Sequence, residues 1–295
     1  MTGPAAGRAG SLPGVDLAVW FARHGRDLPW RHSRDPWAVL VAELMLQQTQ
    51  VARVVDRWGP FLDRFPSPAV MAAAPMGAVI DEWAGLGFNR RAANLHRAAV
   101  AMVENHDGRV PERLDDLLAL PGIGAYTARA VRVFAYEHDD AVVDTNVVRI
   151  LSRVTGGRVT GQSAQEAADA LVPPGDGWRW NQALLDVGAT CCRSRDPDCA
   201  PCPFGPGCRW RAAGRPDPDP GRIPVSRRQS RFQGSDRQGR GRLVDAVRRA
   251  PVPADRLAEV MGWPDDPDRA GRVAAAVVAD GVVQRTPSGF TLPGS

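Results

Sequence analysis

The sequence contains no lysine, because all 37 basic side chains among its 295 residues are arginine. Any reaction that forms a covalent bond to a lysine amine is therefore excluded. Long apolar runs are also absent, since no stretch approaches the roughly 20 residues of a membrane span, and residues 1–13 lack the order of a secretory signal. These absences predict a soluble, cytoplasmic protein with no membrane partner.

Cysteine is confined to one short segment, since all five cysteines lie between Cys191 and Cys208. Such clustering indicates a local metal site and not a disulfide framework spread through a secreted fold. Four thiolates spaced as Cys192, Cys199, Cys202 and Cys208 bind either one zinc ion or an iron–sulfur cluster. Cys191 is left over, and we predict that it is a small buried residue.

Positive charge is unevenly distributed along the chain. The net charge of +4 alone says little about partners. Between Arg209 and Arg242, however, there are ten arginines and three acidic residues. A basic stretch of this kind favours contact with phosphate groups.

Helical periodicity dominates and predicts an all-α main body. The clearest helical patterns cover residues 37–65, 95–104, 112–119, 125–136, 145–154 and 165–171. A segment rich in proline and glycine follows the cysteines. After it, two or three short helices near 240–249, 254–261 and 267–280 and a hairpin over 282–292 predict a small winged-helix-like module.

Glu43 lies in a predicted helix that is apolar on every face. No basic residue stands three or four positions away from it. Burial favours the neutral, protonated form of a carboxyl group, so Glu43 is a candidate proton donor. The alternative is a carboxylate neutralised by a distant arginine. The polar run at 47–50 indicates that the helix then meets solvent or a ligand.

Asp144 precedes the predicted helix at 145–151, where aspartate is a favoured N-cap that needs no further role. The helix N-terminus would also keep its carboxylate ionised. One protonated and one ionised carboxyl group are what cleavage of a glycosidic bond requires. Glu43 and Asp144 are the candidates for this pair.

The segment Leu120-Pro121-Gly122-Ile123-Gly124 joins two predicted helices. Its glycines free backbone N–H groups at the start of the second helix, where the helix dipole favours a phosphate. Such a hairpin holds DNA without reading its sequence. An ordinary turn between two helices is the alternative.

Five segments in this order resemble the endonuclease III superfamily of helix-hairpin-helix glycosylases, and within it the MutY-type adenine DNA glycosylases. They are residues 43–51, 120–124, 143–147, 181–184 and the four spaced cysteines. The resemblance runs from about Trp20 to Trp210 and favours a 4Fe-4S cluster over zinc. It implies a monomer that acts on double-stranded DNA of the nucleoid, releases adenine mispaired with 8-oxoguanine or guanine, and leaves an abasic site.

The resemblance also implies a domain organisation for the helix-hairpin-helix glycosylase fold. A six-helix domain covers 33–137, and an iron–sulfur cluster domain combines 14–32 with 138–212. The remaining segments are a flexible tail (1–13), a basic linker (213–239) and the winged-helix-like module (240–295).

Roles for individual residues follow from the same resemblance. Glu43 would protonate the purine at N7, and Asp144 would stabilise the sugar cation with support from Asn146 and Tyr126. Tyr126 stands where bifunctional relatives carry a catalytic lysine, so no lysine-dependent strand cleavage is expected. The implied substrate- and DNA-binding residues are Trp30, Arg31 and Asp186 around adenine, Gln47, Gln48 and Phe88 as the wedge that fills the vacated stack, Gly122, Ile123 and Gly124 in the hairpin, and Arg193 and Arg195 at phosphates.

Several of these residues have simpler interpretations. Trp30 and Phe88 could be core residues, and Arg31, Arg193 and Arg195 could be surface cations. The sequence also departs from the family. Phe88-Asn89 replaces a frequent pair of tyrosines, Thr145 replaces a frequent glycine, and residues 226–295 are too few and too helical for the β-rich domain that recognises 8-oxoguanine.

Two other functions stay open on the sequence alone. One is a mismatch glycosylase that releases thymine or uracil, and the other is a non-catalytic iron–sulfur protein that binds DNA. Glu43 favours a purine substrate, because a pyrimidine has no N7 to protonate.

Overall fold

The computed structural model describes residues 16–217, 219–222 and 231–294. The predicted tail at 1–13 and residues 218 and 223–230 of the predicted linker lie outside this part of the chain. The helices are α1 (Leu17–His24), α2 (Pro36–Leu46), α3 (Val51–Arg64), α4 (Pro68–Ala73), α5 (Met76–Glu82), α6 (Arg90–Asn105), α7 (Leu114–Ala119), α8 (Ala125–Phe134), α9 (Thr145–Thr155), α10 (Gly161–Asp169), α11 (Gly177–Thr190), α12 (Arg209–Ala212), α13 (Asp236–Val247), α14 (Leu257–Met261) and α15 (Pro267–Ala279). The strands are β1 (Val252–Pro253), β2 (Gln284–Thr286) and β3 (Gly289–Thr291).

The helical pattern predicted over 37–65 consists of two helices, α2 and α3. Helix α2 starts where the side chain of Asp35 accepts a hydrogen bond from the Trp37 N–H at 3.1 Å. It ends at Leu46, and α3 starts at Val51. Between them Gln48 has a φ of +56°, which no right-handed helix can contain. The polar run at 47–50 therefore interrupts the helix.

The chain divides into two compact units. The first comprises 1–34 and 128–226, and its core is formed by side chains of α1, α9 and α11. Trp20, Ile150, Leu184 and Val187 are buried in this core. Helix α11 was not among the predicted helical patterns, although its apolar residues carry a large share of the packing.

The second unit comprises 35–127 and 227–295. Among its core residues are Leu40, Met45, Trp83 and Leu95, each at most 1% exposed. The division between the units falls inside α8. The domain boundaries expected from the sequence stay predictions.

The elements α13 to β3 form the C-terminal module (236–294) of the second unit. Three helices precede the hairpin of β2 and β3, in which Arg285 lies opposite Phe290. Strand β1 was not predicted, and it pairs with the other edge of β3. The helices and hairpin expected from the sequence are thus present. No described helix is long and apolar enough to cross a membrane.

Candidate active site

Glu43 is buried, with 5% of its surface exposed. It lies in α2, where every residue from Trp37 to Met45 is buried. The burial predicted from the apolar pattern is therefore confirmed. Removing a carboxyl group from water is costly for its ionised form unless a partner compensates it.

Two short loops touch each other. The loop 47–50 directly follows α2, and the loop 86–89 directly precedes α6. The Thr49 hydroxyl donates to the carbonyl oxygen of Leu86 at 3.2 Å. We call these segments the paired loops. Gln48 and Phe88 both have positive φ angles, +56° and +48°, which for residues other than glycine cost about 1–3 kcal/mol each.

The side chain of Phe88 lies at the surface of the paired loops. It is 47% exposed, so the core-packing interpretation of this residue is wrong. Gln48 is exposed as well, and Gln47 is half-buried. Exposed large side chains on strained backbone are features that occur at binding sites.

Arg91 organises the paired loops from inside, and sequence reasoning missed it. It is 8% exposed, and burial lowers its pKa to about 10. Its guanidinium donates to the Thr49 hydroxyl and to the carbonyl oxygens of Leu44, Met45, Gln47, Leu86, Gly87 and Phe88. Arg91 thus ties the C-terminal end of α2 to both loops. In the sequence it was one of 37 arginines, with nothing in its neighbours to mark it as buried.

The hairpin at 120–124 lies between α7 and α8. Gly122 has a φ of +79°, and a Cβ there would lie 2.6 Å from the Asn94 side chain, so glycine is required. Gly124 is exposed, and nothing else in the described chain lies within 4 Å of where its Cβ would be. This leaves room for a ligand at the N-terminus of α8. The Gln47 amide donates to the Thr127 hydroxyl at 3.1 Å, which joins the paired loops to α8.

Asp144 caps α9, as its position in the sequence predicted. One carboxylate oxygen accepts from the backbone N–H groups of Asn146 and Val147, both at 2.8 Å. The other accepts from the Asn146 side-chain amide at 2.6 Å. Arg149 donates to the oxygen of that same amide at 2.7 Å, and so fixes its orientation. The half-buried Asp144 is therefore held by three donors.

The four spaced cysteines surround one cavity, together with Arg153, Phe204 and Trp210 among other residues. None of the five cysteines is in a disulfide, and Cys191 packs in the core at 3% exposure, as predicted. Burial raises the pKa of Cys202 to about 12. Arg153 donates to the sulfur of Cys192 at 3.4 Å.

Four thiols around one cavity fit a polynuclear cluster. Within the described residues, no three His, Cys, Asp or Glu side chains converge as ligands of one ion. A cluster is instead bound at several separate iron atoms, so its thiolates need not meet at a single point. The donor set is chemically suited to iron–sulfur ligation.

Arg31 and Asp186 form a buried ion pair. Two nitrogens of Arg31 donate to the two oxygens of Asp186, each at 2.8 Å, and Arg26 donates to the same oxygens through its backbone N–H and its Nε. Asp186 is fully buried and Arg31 is 7% exposed, so Arg31 is not a surface cation. Trp30, also 7% exposed, is the adjacent residue. The main role evident for Asp186 is to neutralise two arginines.

We expect Asp186→Asn to lower the free energy of unfolding by about 3–5 kcal/mol, because it leaves Arg31 buried without an anion. Burial by itself would raise the pKa of Asp186, but hydrogen bonds from Arg31 and Arg26 outweigh it and lower the pKa below 3.8. A lowered pKa stabilises the fold above the ordinary pKa, and this contribution disappears as the pH falls through the lowered value.

Urea denaturation measures the free energy of unfolding of Asp186→Asn and of the wild type at about pH 7 and again near pH 3.5. The difference between the two free energies should be smaller at the lower pH. Asp176→Asn is the matched control, since Asp176 pairs with a half-exposed arginine, Arg179, at 3.4 Å. Its expected loss is below about 1 kcal/mol. Equal losses of unfolding free energy for the two variants would show that the buried ion pair stabilises the fold no more than the exposed one.

The predicted site residues are distributed over both units. The second unit holds Glu43, Gln47, Gln48, Phe88, Gly122, Ile123, Gly124 and Tyr126. The first holds Trp30, Arg31, Asp144, Asn146, Asp186, Cys192, Cys199, Cys202 and Cys208. Arg193 and Arg195 are exposed in the loop between the first two of these cysteines, and Arg193 donates to the carbonyl oxygen of Asp196 at 2.6 Å.

Comparison with known proteins agrees with these features. A family model for HhH-GPD superfamily base excision DNA repair proteins matches residues 41–174. The adenine DNA glycosylase of Mycolicibacterium smegmatis is 41% identical over 290 residues, which cover 96% of this chain and 97% of the relative. The adenine DNA glycosylase of Mycobacterium tuberculosis (strain CDC 1551 / Oshkosh) is 40% identical over 288 residues, or 95% of this chain and 93% of the relative.

A solved structure with the same fold is a thermostable thymine-DNA glycosylase. It is 30% identical, aligns with a TM-score of 0.64, and covers 67% of this chain and 94% of its own. The mycobacterial matches extend over nearly the full chain and so include C-terminal residues, whereas this structural match leaves about a third of the chain uncovered.

Proposed function

Because this chain belongs to the adenine DNA glycosylases of the HhH-GPD superfamily of base excision DNA repair proteins, we propose that it releases adenine mispaired with 8-oxoguanine or guanine. By family it is a hydrolase of N-glycosyl bonds, and its fold is that of the helix-hairpin-helix glycosylases. Since the chain has no lysine, no side-chain Schiff base to the sugar can form, and the product is an intact strand with an abasic site.

One observation carries this proposal: a buried glutamate lies directly before a surface suited to DNA distortion. Helix α2 carries Glu43 and leads into the first of the paired loops. The strained residues of these loops, Gln48 and Phe88, have exposed side chains. The same unit presents the glycine hairpin at the N-terminus of α8, which suits a DNA phosphate. An acid, a wedge and a DNA-binding hairpin are what an enzyme needs in order to act on an extruded base.

In the proposed reaction, Glu43 transfers its proton to N7 of the flipped adenine. The bond between N9 and the sugar carbon then breaks, and its electron pair leaves with the neutral base. The Asp144 carboxylate stabilises the positive charge that develops on the sugar, with Asn146 and Tyr126 in supporting positions. Water adds to the sugar carbon, and the proton that it loses passes to solvent, from which the Glu43 carboxylate is protonated again before the next turnover.

The paired loops supply the wedge in this proposal. Gln47, Gln48 and Phe88 fill the space that the base leaves, which offsets part of the unstacking cost of a few kcal/mol. Trp30, Arg31 and Asp186 lie around the adenine site, where Asp186 acts by holding Arg31. Arg193 and Arg195 contact phosphates beside the cysteine-lined cavity.

A 4Fe-4S cluster completes the proposed enzyme. Cys192, Cys199, Cys202 and Cys208 would hold it. A bound cluster cross-links the segments that carry its ligands. Arg153, which donates to the sulfur of Cys192, would offset the negative charge of the thiolates.

The decisive experiment measures base release from defined duplexes by the intact protein. We expect adenine release opposite 8-oxoguanine and guanine, slower release opposite cytosine, and no strand cleavage before alkali treatment. Thymine release from a G:T duplex without adenine release would overturn this proposal and favour a thymine-DNA glycosylase instead. The same preparation should contain iron and be brown, whereas colourless protein with bound zinc would overturn the cluster assignment.

A further inference from the structure

The C-terminal module packs against α5 and α6, the helices before and after loop 86–89. The backbone N–H of Gly77 donates to the carbonyl oxygen of Pro293 at 2.8 Å, and a Cβ at Gly77 would lie 2.7 Å from that oxygen. Arg97 of α6 donates to the carbonyl oxygen of Asp280 at 2.8 Å. The module is therefore held to α5 and α6 by backbone groups as well as by side chains.

A further contact reaches the paired loops themselves. Arg248, which directly follows α13, donates to the carbonyl oxygen of Ile80 at 2.8 Å and to the side-chain oxygen of Asn89 at 3.1 Å. Asp245 accepts from the same guanidinium at 2.7 Å. The Arg248 side chain is only 10% exposed, so this contact is shielded from water.

Asn89 is the residue after Phe88 and the last residue of the paired loops. Its side chain makes no cap hydrogen bond to α6, and its amide oxygen instead accepts from Arg248. On the other side of the loop, Arg91 binds the carbonyl oxygen of Phe88 and its guanidinium lies 5.5 Å from the Phe88 ring. A strained residue such as Phe88 persists only when its surroundings fix it; here Arg91 contacts Phe88 itself, and Arg248 contacts the next residue, Asn89.

We propose that the C-terminal module braces the wedge, and that Arg248 is a positioning residue which keeps Phe88 in the conformation that enters the base stack. This inference rests on the proposed wedge role of Phe88. The Phe88-Asn89 segment and the C-terminal module meet at the hydrogen bond between Asn89 and Arg248. The module then contributes to base flipping without itself contacting the flipped base.

The test compares base flipping with DNA binding in Arg248→Ala and Asn89→Ala. A duplex with 2-aminopurine at the target position reports flipping, because this adenine analogue becomes more fluorescent when it leaves the stack. We expect each variant to lose most of the fluorescence increase and to excise adenine about tenfold more slowly in single turnovers, since one hydrogen bond to a charged group is lost. The dissociation constant for duplex DNA should change less than about twofold.

The double variant should excise adenine no more slowly than Arg248→Ala alone, because Asn89→Ala removes a contact that Arg248→Ala has already removed. Arg256→Ala is the matched control, since Arg256 belongs to the same module, is well exposed and pairs with Glu259. Should Arg248→Ala fail to fold, Asn89→Ala carries the test, because it leaves the contacts of Arg248 with Ile80 and Asp245 in place.

Phe88→Ala distinguishes a failure of the proposed wedge role of Phe88 from a failure of the proposed positioning role of Arg248. If it leaves the fluorescence increase intact, the wedge role itself is wrong. If it abolishes the increase while Arg248→Ala and Asn89→Ala do not, the wedge stands and the brace is overturned. Additive effects of Arg248→Ala and Asn89→Ala on the rate of adenine excision would also overturn the positioning role of Arg248.

Discussion

Glu43→Gln should bind mispaired DNA normally and excise adenine about 10²- to 10⁴-fold more slowly than the wild-type enzyme. Glutamine has a similar shape and keeps a polar group at the position, but its amide is too weak an acid to transfer a proton to N7. The position is 5% exposed and surrounded by buried residues of α2, so water cannot readily replace the lost acid. Single-turnover kinetics on an A:8-oxoguanine duplex measure the rate, and fluorescence anisotropy measures binding.

Glu104→Gln is the control for this substitution. Glu104 is an exposed carboxylate in α6 of the same unit, and its replacement should leave both measurements unchanged. The thermal midpoint of Glu43→Gln should stay close to that of the wild type, because a neutral amide of similar shape replaces a protonated carboxyl group. Wild-type excision by Glu43→Gln would refute the proton transfer, and loss of DNA binding would assign the residue a structural role.

Asp144→Asn should reduce adenine excision by about 10²- to 10³-fold while leaving α9 capped. Asparagine is as good an N-cap as aspartate, so the hydrogen bonds to the N–H groups of Asn146 and Val147 can persist. What disappears is the negative charge opposite the sugar cation. In the wild type the Asn146 amide nitrogen donates to the carboxylate at 2.6 Å. In Asp144→Asn the new side-chain NH₂ group takes the place of that accepting oxygen, so this hydrogen bond is lost.

The control for Asp144→Asn is Asp16→Asn, because Asp16 caps α1 of the same unit by accepting from the Val19 N–H at 3.0 Å. Both variants should lose less than about 1 kcal/mol of unfolding free energy, since both keep a capping side chain. Only Asp144→Asn should lose activity. Asn146→Ala adds a second test, and we expect a smaller loss because the carboxylate keeps its charge and its two backbone donors. A fully active Asp144→Asn enzyme would leave Asp144 as a cap alone.

Much of the site could be predicted because its signals are local. The apolar run around Glu43 predicted its burial, and the position of Asp144 before a helix predicted its capping bonds. Cysteine spacing predicted four thiols at one place, and the glycines at 120–124 predicted a turn that only Gly122 could make. Each of these depends on residues a few positions apart, for which helix periodicity and turn chemistry are sufficient.

Boundaries and exposure were less predictable. The pattern at 37–65 continued through the polar run at 47–50, so the break between α2 and α3 depended on a backbone conformation that the sequence does not specify. Phe88 could not be assigned to core or surface from its neighbours, because an aromatic residue beside glycine suits both. Its exposure follows from the contact between the two paired loops, which is a tertiary feature.

The sequence by itself determined that this chain has no lysine chemistry, a helical body with a buried acid, a glycine hairpin and a four-cysteine site. Tertiary structure decided which arginines are structural. Arg91 reaches Leu44 across 47 positions, Arg31 reaches Asp186 across 155, and Arg248 reaches Asn89 across 159. An arginine that is buried and one that is solvated have the same local sequence pattern, because what neutralises the buried one is brought to it only when distant segments pack together.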